Sequence, residues 1–124
     1  MDFFAISRYS RVSPRKALLV ADAIKSLSPG EALTMLSFVE KKSAGDILKK
    51  TLATAFSSVP QAQRGSMRFA KIEVLPAGAM KRFRAVSRGM AHTYKKRMSH
   101  IKIVLTDSKK SDTKSVLTIK KITK

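Results

Sequence analysis

Two spacings divide the chain. Apolar residues recur every three or four positions through its first sixty residues or so, and every second position in two later segments. Ser13-Pro14 opens the first periodic run: serine suits the cap, and proline suits the first helical position, where its missing N–H costs nothing. Ala17, Val20, Ala21, Ile24 and Leu27 follow at helical spacing, which predicts a helix from Pro14 to about Ser26. Ser28-Pro29-Gly30-Glu31 places a second cap and a glutamate three residues on, the capping-box arrangement. With Leu33, Met35 and Leu36 it predicts a short helix ending near Phe38. A third stripe, Ile47, Leu48, Thr51, Leu52, Ala55, Phe56 and Val59, follows Ser43 and Asp46 at capping-box spacing and is stopped by Pro60.

The period then changes. After a polar loop from Gln61 to Arg68, Ala70, Ile72 and Val74 alternate with Lys71 and Glu73, predicting a half-buried strand over Phe69–Pro76. Ser99–Asp107 matches it, with Ile101, Ile103 and Leu105 on one face. Near the start, Phe3, Phe4 and Ile6 before Arg8, Tyr9 and Arg11 predict an edge strand. Three helices on a small antiparallel sheet bury all these apolar sets, so the expected class is α+β. One domain over residues 1–107 accounts for them. The stretch 108–124 is a basic extension with six lysines, consistent with either a weak strand or disorder.

Charge changes the picture most. The chain has 26 Lys plus Arg against 8 Asp plus Glu, a formal net charge of +18 in 124 residues. Such self-repulsion is relieved by an extended polyanion, of which nucleic acid is the usual one. With no cysteine, disulfides and thiolate metal sites are excluded. No stretch is apolar enough to span a bilayer, and the first ten residues lack the pattern of a secretory signal, so a cytoplasmic location is expected.

The basic charge concentrates between the two predicted strands, over residues 77–98, AGAMKRFRAVSRGMAHTYKKRM. Seven cations lie there (Lys81, Arg82, Arg84, Arg88, Lys95, Lys96 and Arg97), and no Asp or Glu occurs between Glu73 and Asp107. Continuing both strands outward gives a hairpin reaching about 35 Å at roughly 3.3 Å per residue. An isolated two-stranded hairpin is marginal in water, so this one needs an external anionic partner to order it. Gly89 supplies the positive φ of a turn. Phe83 and Tyr94 serve either to stack on unpaired bases or to pin the two arms together.

Three other classes fit poorly. The only histidines, His92 and His100, have no carboxylate spaced to orient them, and no paired-carboxylate, metal-ligand or phosphate-loop motif is present, so neither enzyme activity nor a cofactor is expected. A helix-turn-helix reading of the first two helices fails because the charge is not on the second one. The stripe of the third helix reads as core rather than as a membrane-surface face.

Particular motifs then carry a resemblance. Gly78-Ala79-Met80-Lys81-Arg82, Arg88-Gly89 and Lys96-Arg97-Met98-Ser99-His100-Ile101, ending in Asp107, resemble the signature of the large-subunit ribosomal protein family numbered twenty-two in the bacterial series. Ser13-Pro14-Arg15-Lys16 with Leu19-Val20-Ala21-Asp22 is similar to that family's first helix, and Lys41-Lys42-Ser43-Ala44 to its approach to the third. Ala79, Ala85-Val86-Ser87 and Met90 depart from the pattern. The resemblance implies binding to large-subunit ribosomal RNA beside neighbouring ribosomal proteins, by a chain that is monomeric when free. It implies a hairpin lining the peptide exit tunnel, with Met80, Lys81, Arg82, Arg88, Gly89 and Met90 at or near a tip that meets the nascent peptide. The residues expected to touch RNA are Arg8, Arg11, Arg15, Lys16, Lys41 and Lys42, the seven cations of the hairpin, and His100.

Overall fold

The computed structural model describes residues 1–107; the basic stretch 108–124 lies outside the described residues. Strand β1 (Asp2–Ser10) leads into helices α1 (Pro14–Ile24), α2 (Pro29–Phe38) and α3 (Lys42–Ser57). A 3₁₀ turn over Gln61–Ser66 precedes two long strands, β2 (Met67–Ala85) and β3 (Ala91–Asp107). The sheet order is β1-β3-β2, with both neighbours antiparallel to β3. The α+β expectation holds, and the last strand in sequence among the described residues, β3, is the middle one in space.

Helix geometry follows the local chemistry. Ser28 Oγ accepts from the Glu31 backbone N–H, and Glu31 Oε2 accepts from the Ser28 N–H at 3.1 Å, so the capping box of α2 forms. The backbone N–H and then the hydroxyl of Ser28 hold the Glu31 carboxyl below its ordinary pKa. Stabilisation from a lowered carboxyl is complete above its unfolded value and is lost as pH falls through the folded one. The other expected box does not form: α3 starts a residue before Ser43, with Lys41 at its cap and no side-chain bond there. Lys41 O instead accepts from the N–H groups of Ala44 and Gly45, so the backbone tightens the first turn.

The core lies between the helices and one face of the sheet. Ile101, Ile103 and Leu105 of β3 are fully buried, as are Leu48, Leu52 and Ala55 of α3 and Ala17 of α1. Each large side chain so removed from water contributes roughly 1.5–3 kcal/mol. In β2 the inward row differs from simple alternation. A register shift between Phe69 and Lys71 leaves Ala70 exposed and turns Phe69 inward beside Ile72 and Val74.

Gly45 marks the closest approach of α3 to the end of α2. A Cβ there would stand 3.1 Å from Leu36 O and 3.7 Å from the Val39 Cβ. Because the obstacle is backbone, Gly45→Val is expected to destabilise the free protein by about 1–3 kcal/mol, the usual cost of overpacking. A thermal unfolding midpoint equal to that of the unaltered chain would show that the α2–α3 contact is looser than this.

Candidate nucleic-acid interface

Both long strands run past the core and form an arm. Cross-strand pairing continues from Ala77↔Met98 through Met80↔Lys96, Lys81↔Lys95 and Arg82↔Tyr94 to Ala85↔Ala91. From Ala77 to Ala85 the arm extends about 26 Å at roughly 3.3 Å per residue. Every residue from Lys81 to Arg97 is exposed. Directly opposed residues share a face and successive pairs alternate. Lys81 and Lys95 therefore project from one side of the arm, and Arg82 and Lys96 from the other. The same register puts Phe83 opposite Thr93 and Tyr94 opposite Arg82, on opposite faces, so the two rings do not pin each other.

The turn is tighter than a single glycine requires. Val86 N–H donates to Met90 O at 2.8 Å, and both Arg88 (φ 60) and Gly89 (φ 68) are left-handed. The tip is thus Val86–Met90, which includes the expected Arg88, Gly89 and Met90. Met80, Lys81 and Arg82 are not at the turn. They stand about 13–20 Å back along the strand from Val86, beside an irregularity between Ala77 and Met80 that shifts the register by a residue.

At the base of the arm the expected cations converge. Arg11, Lys16, Lys41 and Lys42 line a cleft of about 500 Å³ where the N-termini of α1 and α3 meet, with Ser13 and Ser43 between them. Arg11 also lines a second cleft of about 250 Å³ with Arg82, Lys96, Arg97, Met80 and Met98. Glu40 is the one acid in either lining. Neither lining includes Arg15, although it is exposed on the first turn of α1. Arg84 lies opposite His92 farther out.

Arg8 and His100 are brought together elsewhere, on the face of the sheet that carries no helix. Pairing passes from Ser7↔Ile101 to Ser10↔Ser99, so Arg8 and Tyr9 bulge opposite His100. The Tyr9 backbone N–H donates to His100 Nδ1 at 3.1 Å, and the two rings meet edge to face with centroids 4.7 Å apart. A recess of about 350 Å³ opens there, floored by Ile6 and Leu75 and flanked by Lys102 and Glu73. The Lys71 ammonium, 2.6 Å from Glu73, holds that carboxyl below its ordinary pKa, and Lys102 lies 4.0 Å away. Tyr9 and Lys102 were absent from the candidate residues. Their signal is the outward row of β3, His100 and Lys102, complementary to the inward Ile101 and Ile103.

No helix among the described residues is long and apolar enough to cross a membrane, and no three metal-capable side chains cluster among them. Comparison with known proteins supplies a family. Residues 5–106 match the family described as ribosomal protein L22p/L17e. The large ribosomal subunit protein uL22 of Syntrophus aciditrophicus (strain SB) is 36% identical over 110 residues, covering 86% of this chain and 99% of that protein. With the match spanning nearly all of the helices, the sheet and the arm, the chain belongs to the ribosomal protein L22p/L17e family, structural and non-enzymatic constituents of the large ribosomal subunit.

Proposed function

We propose that this protein binds large-subunit ribosomal RNA through the two clefts at the base of the arm and through the arm itself, whose tip reaches the polypeptide exit tunnel. The observation that carries this is the arm: about 26 Å of paired strand, cationic on both faces and without an acid from Val74 to Thr106. A hairpin with no core of its own is ordered by what surrounds it, and phosphates on both sides satisfy its guanidinium and ammonium groups. Arg88, Gly89 and Met90 then present the tunnel surface, beside the nascent peptide, while residues 1–107 act as one domain seated among neighbouring ribosomal proteins. Free of the subunit the chain is a monomer, and its place in the cell is the cytoplasmic ribosome.

Salt dependence tests the arm's share. If about four of its seven cations neutralise phosphates, replacing residues 81–97 by a short Gly-containing turn reduces the log–log salt slope of RNA binding by roughly 3–4. The measurement is a titration of large-subunit ribosomal RNA at several salt concentrations. An unchanged slope assigns the binding to the clefts and leaves the arm a solvated projection.

A further inference from the structure

The recess on the helix-free face of the sheet lies apart from the arm and the clefts, and its construction is specific. Tyr9 has φ 52, a left-handed conformation that is uncommon for any residue but glycine, asparagine or aspartate and costly for a bulky one. The residue nevertheless stays 61% exposed, its ring set edge to face against His100. The strained backbone is fixed by its N–H bond to His100 Nδ1. An acceptor at Nδ1 leaves the imidazole proton on Nε2, available as a donor. Around the ring lie apolar Ile6 and Leu75 and cationic Arg8 and Lys102, while the one acid, Glu73, is engaged by Lys71 and Lys102.

We infer that this recess is a binding site for a single unpaired nucleobase of RNA, stacked on Tyr9 with its phosphate toward Arg8 and Lys102. The inference rests on the RNA-binding reading above and adds a site of a different kind. Three features select this occupant. A planar ring is offered at the surface, and unpaired bases are held on exposed aromatic faces. The histidine beside it supplies a donor suited to a base edge, and the net positive rim favours a phosphate over an acidic or neutral peptide. An apolar side chain from a protein neighbour would fill the floor but leave Arg8 and the Nε2 side of His100 without a partner.

The test uses the full chain and large-subunit ribosomal RNA, titrated at several salt concentrations. Tyr9→Gly removes the ring and places glycine where a left-handed backbone costs it nothing, so loss of fold does not confuse the result. Its affinity is expected to fall about tenfold to a hundredfold, the range for one lost base stack, with the salt slope unchanged because no phosphate contact is removed. Tyr9→Phe, which keeps the ring, is expected to bind as the unaltered chain does. Full affinity in Tyr9→Gly, with the normal salt slope retained, overturns the site while leaving RNA binding by the arm and clefts intact. Full RNA affinity together with loss of the variant from large subunits also overturns it, and assigns the face to a protein neighbour. An unaltered chain whose RNA affinity shows no salt dependence overturns the parent reading and this one together.

Discussion

Replacing Leu52 by alanine is expected to lower the stability of the free protein by about 2–5 kcal/mol, the range for deleting a fully buried leucine side chain. Leu52 is wholly buried on α3, within the same core cluster as Leu48 and the β3 row of Ile101, Ile103 and Leu105. Alanine is at least as good a helix former as leucine, so the loss is one of packing and not of helix propensity. Domains of this size hold only about 5–15 kcal/mol in total, which makes the variant marginal at the lower end. Leu19, on α1 and 60% exposed, is the control: its alanine variant should fall within about 0.5 kcal/mol of the unaltered chain. Urea unfolding separates the two if the midpoint shifts and the slope is kept. Equal midpoints for both variants would mean that α3 does not organise the core.

Amide exchange on the free protein should divide β2 and β3 in two. Ile101, Ile103 and Leu105 are fully buried, and their segment of β3 pairs on both sides. These amides are expected to exchange only through global opening. Lys81–Ala85 and Ala91–Lys95 belong to the same two strands, yet they are exposed and paired only with each other. Their amides should exchange with protection lower by about a thousandfold or more, since local opening there exposes no core. Uniform protection along both strands would show that the arm is rigid before any RNA reaches it.

Much of this architecture is legible because burial imposes a period on sequence. Ala17, Val20, Ala21 and Ile24 repeat at helical spacing and are the buried set of α1; Ile101, Ile103 and Leu105 alternate and are the buried set of β3. The Ser28–Glu31 box was readable because both partners are local. What escaped was set by pairing between distant segments. Ala70 fits an alternating pattern but is displaced by a register shift against β3. Tyr9 looks like any surface tyrosine until a bulge places it opposite His100. The family motif places Met80–Arg82 at or near the tip without locating the turn. That position depends on the cross-strand register, which closes at Val86–Met90. The cations were found by composition, but their convergence around Arg11 required the fold.

The sheet order has a consequence for how the chain is made. β1 leaves the ribosome first, but its neighbour is β3, and the Thr106 hydroxyl that bonds Asp2 Oδ1 at 2.7 Å lies 104 residues later. Throughout synthesis of the helices and of the outgoing limb of the arm, the inward rows of β1 and β2 have no middle strand to join. Synthesis at roughly 5–20 residues per second makes this wait several seconds long. β3 then completes this sheet and core in one step, because Ile101, Ile103 and Leu105 enter between elements already present. A chain halted before this segment is therefore a set of helices with an unpaired edge, open to capture by other unfolded chains. The vulnerable interval is set by the position of a single strand, β3, after the other described elements.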